Sequence, residues 1–198
     1  MQLHEATSHG TTTMIDAVIV PLKRFDVAKA RLREGGVTQV TEFARRLAAG
    51  VIQHSAPRIV IVLSESDDVS RFAREHHAEV RQSNARDLNE AVKDAYEGLR
   101  ERFERLLIVH GDLRSPEGIG TFEPEPGITI VTDHHLLGTN VLVLPTGLDF
   151  NFSYGASSAT KHELEAVRLG VVHRVITDSH WRFDIDEPAD LFGPPASI

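Results

Sequence analysis

The chain has 198 residues, 41% hydrophobic and 25% charged, which is typical of a globular protein and not of a disordered one. Its formal net charge of -8 argues against general nucleic-acid binding, which relies on many Lys and Arg residues, but it allows a small phosphorylated ligand held by a local basic cluster. The absence of cysteine excludes disulfides, zinc–thiolate sites and thiol catalysis, and no apolar run is long enough to span a bilayer.

The N-terminal segment is polar and lacks the apolar stretch of a secretory signal. We therefore expect residues 1–13 to be a flexible extension and residues 14–198 to form a single domain. A cytoplasmic protein without a membrane or nucleic-acid partner is the simplest interpretation. A homodimer is a further expectation, because homodimers are common among soluble enzymes.

The first half of the chain alternates short apolar runs with segments of helical periodicity. The predicted strands are 15–20, 59–63 and 106–109, and the predicted helices are 40–51, 67–77 and 88–103. This order is typical of βαβ units, and it predicts an α/β fold with a mostly parallel sheet and helices on both faces.

The second half is richer in strands and contains one predicted helix, at residues 158–169. Its predicted strands are 128–131, 141–144, 171–176 and 181–185. In open α/β sheets, ligands bind at the carboxyl ends of the strands. The residues that directly follow each strand are therefore the candidates for a functional site.

A basic loop, residues 23–33, follows the first predicted strand. It contains the cations Lys23, Arg24, Lys29 and Arg31. Such a loop can wrap a polyphosphate, because it offers positive charge and forked hydrogen-bond donors. A solvated charged loop is the alternative interpretation.

Three carboxylates are candidate metal ligands. Asp112 follows the third predicted strand, and Asp184 and Asp186 would project to one face if their segment is extended. Mg²⁺ prefers carboxylate oxygens, and a cation would compensate two like charges held close together. The alternatives are a helix-capping role for Asp112 and an exposed carboxylate pair at a sheet edge.

Two turns rich in small residues, 137–140 and 152–158, can expose backbone N–H groups. The second turn leads into the predicted helix, whose N-terminus favours an anion. An ordinary N-cap at Ser157 or Ser158 is the alternative.

Taken together and in order, these segments resemble the 2-phospho-L-lactate and phosphoenolpyruvate guanylyltransferases of deazaflavin coenzyme biosynthesis. The resemblance extends from about residue 15 to residue 191. The matching segments are the basic loop with Lys23, Lys29, Arg31 and Leu32, and then 88–92, 111–113, 138–140, 155–162 and 183–191.

The resemblance implies a three-layer nucleotidyltransferase fold of the glycosyltransferase-A type. It also implies transfer of GMP from GTP to the phosphate of 2-phospho-L-lactate, phosphoenolpyruvate or 3-phosphoglycerate, with release of pyrophosphate. The implied magnesium ligands are Asp112, Asp184 and Asp186. The implied phosphate-binding residues are Lys23, Lys29 and Arg31. The implied contacts to the acid are Thr139, Gly155 and Ser158, and those to the nucleotide are Leu88 and Asn89.

The chain departs from the family pattern at three places on the acceptor side. Arg-Ser-Pro at 114–116 follows Gly-Asp-Leu, where the family usually has Pro directly. Residues 133–137 stand where the family typically has Arg and Gly, and Ala156 replaces a Pro. The adjacent His134 and His135 could be a surface pair or a metal site. Two alternatives remain for the function. One is a cytidylyl- or molybdopterin-type nucleotidyltransferase of the same fold, and the other is a non-catalytic domain that binds a phosphorylated metabolite.

Overall fold

The computed structural model describes residues 14–192, in which a seven-stranded sheet is flanked by α-helices. The strands are β1 (Met14–Pro21), β2 (Ile59–Ser64), β3 (Glu79–Gln82), β4 (Phe103–Val109), β5 (Ile128–Thr132), β6 (Thr139–Pro145) and β7 (His173–Ile176). The helices are α1 (Ala30–Glu34), α2 (Val40–His54), α3 (Asp67–Glu75), α4 (Leu88–Leu99) and α5 (Ser158–Arg168). The extension predicted at residues 1–13 lies outside this range. Within the range, no helix has the length and apolar character needed to cross a bilayer.

The strand order is β3-β2-β1-β4-β6-β5-β7. β1 pairs in parallel with β2 and β4, β2 with β3, and β5 with β7, whereas β6 runs antiparallel to both of its neighbours. The predicted α/β class with a mostly parallel sheet is confirmed. Because the chain leaves β1 toward β2 on one side and returns as β4 on the other, a crevice is expected where their carboxyl ends meet.

Alternate residues of β1 pack into two separate cores, since successive side chains of a strand point to opposite faces. Val18 and Val20 pack with residues of α2 and α3, whereas Ala17 and Ile19 pack with residues of α4 and α5. All four side chains are fully buried. The central strand is therefore covered on both sides, as its nearly continuous apolar sequence predicts.

Several predictions of individual elements were wrong or incomplete. Residues 181–185 form no regular strand, because a 3-10 helix occupies His180–Arg182. The helix predicted over 88–103 ends at Leu99, and Phe103 begins β4 instead. The sequence analysis also missed β3, a short edge strand whose charged residues give little apolar signal, and it missed α1 inside the basic loop.

Candidate active site

A cleft of about 580 Å³ opens at the carboxyl ends of the central strands. Predicted site residues that line it are Lys23, Lys29, Leu88, Asp112, Thr139, Gly155, Ser158, Asp184 and Asp186. Arg31 and Asn89 are not among the lining residues. A second cavity of similar size lies near Arg58, at the opposite end of β2. The first cleft matches the position at which open α/β sheets bind ligands.

The carboxylates of Asp112, Asp184 and Asp186 meet in this cleft, each offering an oxygen within 4.8 Å of the others. A short antiparallel contact after β4 brings them together. Leu113 forms an isolated bridge with Asp184, and the N–H of Ile185 donates to the carbonyl of Asp112 at 3.2 Å. The segment around Asp184 is thus extended, as the same-face argument requires, although it belongs to no regular strand.

Lys29 joins two of these carboxylates. Its ammonium donates hydrogen bonds to Asp112 and, at 2.7 Å, to Oδ1 of Asp186, and its side chain is only 7% exposed. Burial alone lowers the pKa of Lys29, but the charges of Asp112 and Asp186 outweigh burial and raise that pKa. The ammonium is therefore held charged within the carboxylate cluster. The backbone of Lys29 is left-handed, with φ of 59°.

The cluster retains uncompensated negative charge despite Lys29. Burial, followed by the charges of Asp112 and Asp186, raises the pKa of Asp184. In addition, Oδ1 of Asp112 is buried and has no hydrogen-bond partner among the described residues. Converging oxygen ligands, excess negative charge and an orphaned carboxylate oxygen together fit a hard divalent cation such as Mg²⁺.

The other predicted cations differ in position. Lys23 is exposed and lines the cleft. The Arg31 guanidinium donates to Glu187 at 3.2 Å on the surface, where both side chains are largely exposed. Lys23 and Lys29 thus face the cleft, whereas Arg31 would have to leave Glu187 to reach a ligand there.

The predicted acceptor-side residues form one buried polar group. The Ser158 hydroxyl donates to Oγ1 of Thr139 at 3.2 Å, and that oxygen lies 3.1 Å from Nδ1 of His162. Ser157 is the N-cap residue of α5, but its side chain forms no capping hydrogen bond. The alternative of an ordinary serine N-cap is therefore wrong. Gly155 has φ of 112°, a conformation that residues with a Cβ rarely adopt, so a glycine is needed in this turn.

The two predicted nucleotide contacts are neighbours with different environments. Leu88 lines the cleft, whereas Asn89 holds the turn before Gly155. Its amide donates to the carbonyl of Tyr154 at 3.3 Å, and its Oδ1 accepts from the N–H of Tyr154 at 2.6 Å. In this structure Asn89 therefore shapes the cleft wall through Tyr154.

Asn140 is a site residue that the sequence analysis did not identify, although it lies in the predicted turn at 137–140. Asn140 lines the cleft, and its Nδ2 donates to Oδ1 of Asp184 at 3.3 Å and to the carbonyl of Trp181 at 3.1 Å. The amide thus fixes one oxygen of a candidate metal ligand. Its position next to Thr139 could have identified it as a site residue. Its contact with Asp184, 44 residues away in the chain, could not be predicted from the local sequence.

Of the segment that departs from the family pattern, residues 133–137, Asp133 lines the cleft. The ring of His134 stacks on Phe183 with centroids 5.8 Å apart, and Arg182 donates to the carbonyl of His134 at 2.9 Å. Within residues 14–192, the converging metal-type cluster contains neither His134 nor His135.

Burial of His162 predicts a pH-dependent loss of stability. Burial, and secondarily the charge of His110, lowers its pKa to about 4, with smaller effects of Glu165 and Lys161. In the unfolded chain the pKa is near 6.5, so the stabilising contribution is present above pH ~6.5 and is lost as the pH falls toward 4. At pH ~5 the loss should be about 2 kcal/mol.

Denaturant unfolding at pH 7.5 and pH 5.0 measures this loss, with His162→Gln as the comparison. The wild-type protein should lose more stability than the variant between the two pH values. Equal losses would show that His162 is not kept neutral by burial.

The sequence matches the family described as "Guanylyl transferase CofC like" over residues 16–193. It is 28% identical to the phosphoenolpyruvate guanylyltransferase of Sphaerobacter thermophilus, covering 90% of this chain and 91% of that protein. It is 30% identical to the enzyme of the same name from Roseiflexus castenholzii, covering 87% and 84%.

Solved structures of low sequence identity share the fold. A nucleotidyl transferase from Methanothermobacter thermautotroptrophicus matches with a TM-score of 0.61 at 14% identity, covering 90% of this chain and 94% of that chain. A 4-diphosphocytidyl-2C-methyl-D-erythritol synthase from Anaerococcus prevotii matches with a TM-score of 0.58 at 8% identity, covering 91% and 96%. The predicted nucleotidyltransferase fold is thereby confirmed.

Proposed function

The chain belongs to the CofC-like guanylyl transferase family, and we propose that it transfers GMP from GTP to the phosphate of a small phosphorylated acid in deazaflavin coenzyme biosynthesis. The observation that carries the proposal is the convergence of Lys29 with Asp112, Asp184 and Asp186 in the cleft. The relatives named phosphoenolpyruvate guanylyltransferase support phosphoenolpyruvate as the first acceptor to test. 2-Phospho-L-lactate and 3-phosphoglycerate are the other candidates.

In the proposed reaction, an oxygen of the acceptor phosphate attacks the α-phosphorus of GTP. A new O–P bond forms, the bond between the α-phosphorus and the bridging oxygen breaks, and pyrophosphate leaves with that electron pair. The attacking oxygen is already anionic, so the step needs no general base. Both reactants are anions, and the protein must therefore supply charge neutralisation and alignment.

Asp112, Asp184 and Asp186 would hold the divalent cation, which when bound would neutralise charge on the reacting phosphate oxygens. Lys29 would contribute a second positive charge at the same place. Lys23 would bind phosphate from the rim of the cleft. On the acceptor side, Thr139, the turn at Gly155 and Ser158 would orient the acid.

Release of pyrophosphate tests the proposal directly. Purified protein should release it with GTP, Mg²⁺ and one of the three acids, and release should require all three components. CTP and ATP should be much poorer donors under the same conditions.

Two results would contradict the proposal. Preferential use of CTP would exclude the guanylyl assignment. Tight binding of GTP and the acid by folded protein, without turnover at any Mg²⁺ concentration, would favour a non-catalytic domain that binds a phosphorylated metabolite.

A further inference from the structure

A buried histidine outside the proposed chemistry connects two elements that line the cleft. His162 lies one helical turn after Ser158 in α5, and it is fully buried. Its Nε2 accepts a hydrogen bond from the N–H of Ser153 at 3.0 Å, and its Nδ1 lies 3.1 Å from Oγ1 of Thr139. Both ring nitrogens are therefore engaged within the protein.

These two contacts determine where the imidazole proton lies. A backbone N–H can only donate, so Nε2 must keep its lone pair toward Ser153. The buried ring is neutral at neutral pH, because burial lowers the pKa of His162 to about 4. The single ring proton is therefore on Nδ1, and it is donated to Oγ1 of Thr139.

The direction of that bond decides what the Thr139 hydroxyl can do. Its oxygen also accepts from the Ser158 hydroxyl at 3.2 Å, so it receives two donors. A hydroxyl group has one proton and two lone pairs. With both lone pairs used, the Thr139 proton is left for an acceptor in the cleft, which Thr139 and Ser158 both line.

We propose that His162 is a positioning residue that commits the Thr139 hydroxyl to donate to the anionic acceptor acid. The opposite tautomer would require Thr139 to donate its proton to Nδ1, leaving only lone pairs for an anion. This inference rests on the proposed function for the identity of the ligand. The order of the hydrogen bonds rests on the contacts among Ser153, His162, Thr139 and Ser158.

NMR of the imidazole nitrogens tests the order of hydrogen bonds without any substrate. In ¹⁵N-labelled wild-type protein at pH 7.5, His162 should show a protonated Nδ1 and an unprotonated Nε2, with its signals assigned by their loss in His162→Gln. A ring protonated on Nε2, or on both nitrogens, would overturn the proposal. This result does not depend on whether the protein turns over GTP.

A double-mutant cycle with phosphoenolpyruvate and GTP tests the role in binding. Thr139→Val and His162→Phe should each raise the KM for phosphoenolpyruvate by about tenfold, the value of one good hydrogen bond, with little change in the KM for GTP. The double variant should be no worse than Thr139→Val, because His162 acts through that hydroxyl. Thr139→Ser, which keeps the hydroxyl, should raise the KM for phosphoenolpyruvate less than Thr139→Val does.

Additive effects in the double variant would overturn the proposal, as would an equal rise in the KM for GTP. If another of the three acids proves to be the acceptor, the same cycle applies with that acid. If His162→Phe fails to fold, His162→Leu takes its place in the cycle. The side-chain amide of Gln both donates and accepts, so His162→Gln should retain more acceptor affinity than the apolar variant.

Discussion

Replacing Asp184 by Asn is expected to lower kcat by about 1000-fold, because it removes one of the converging charges that would hold the metal and align the phosphates. The same change should not lower the melting temperature. Burial and the charges of Asp112 and Asp186 raise the pKa of Asp184. The ionised carboxylate therefore lowers the stability of the folded protein. Asn keeps the shape and can still accept from Asn140. Asp186→Asn should show a similar loss of activity.

Steady-state pyrophosphate release and thermal unfolding of the same samples separate the two effects. Asp94→Asn is a matched control, since Asp94 is an exposed residue of α4 outside the cleft, and it should leave kcat within about twofold of wild type. A kcat for Asp184→Asn within tenfold of wild type would remove Asp184 from the proposed metal site.

The largest expected effect on stability comes from a buried ion cluster at the opposite end of the sheet. Asp16 accepts two hydrogen bonds of 2.9 Å from Arg105, its partner across β1 and β4, and one of 3.3 Å from Arg58. The side chain of Asp16 is 9% exposed and that of Arg58 12%. Asp16→Asn would leave both guanidinium groups without a counter-charge, and it should cost about 3 kcal/mol.

Denaturant unfolding measures this cost, with Glu79→Gln as the control. Glu79 also pairs with an arginine through two hydrogen bonds, of 2.6 and 2.5 Å to Arg102, but both side chains are more than 40% exposed. Solvent screens such a pair, so its loss should cost at most about 1 kcal/mol. Equal costs for the two variants would contradict the assignment of a desolvated cluster around Asp16.

The sheet was predictable from local sequence because its signal is local. Buried parallel strands need continuous apolar runs, and β1, β2 and β4 show them clearly. β3 was missed because an edge strand needs little apolar character, and residues 181–185 were misassigned because an apolar and aromatic composition does not distinguish a strand from a 3-10 turn packed on the core.

The sequence could predict which residues belong to the candidate site, but not which of them contact one another. Strand ends identified Lys29 and Asp112, and family resemblance supplied Thr139 and Ser158 as candidates. Neither source could show that Arg31 pairs with Glu187 on the surface.

The sequence by itself therefore determined the α/β class, the first strands and the residue types available at their carboxyl ends, because these follow from periodicity and composition. The tertiary structure alone decided which of those residues meet. The contact between Leu113 and Asp184 unites carboxylates that are far apart in the chain, and the Ser153 N–H sets the proton of His162. Such contacts join distant segments, so their energies depend on distances that no local pattern of residues encodes.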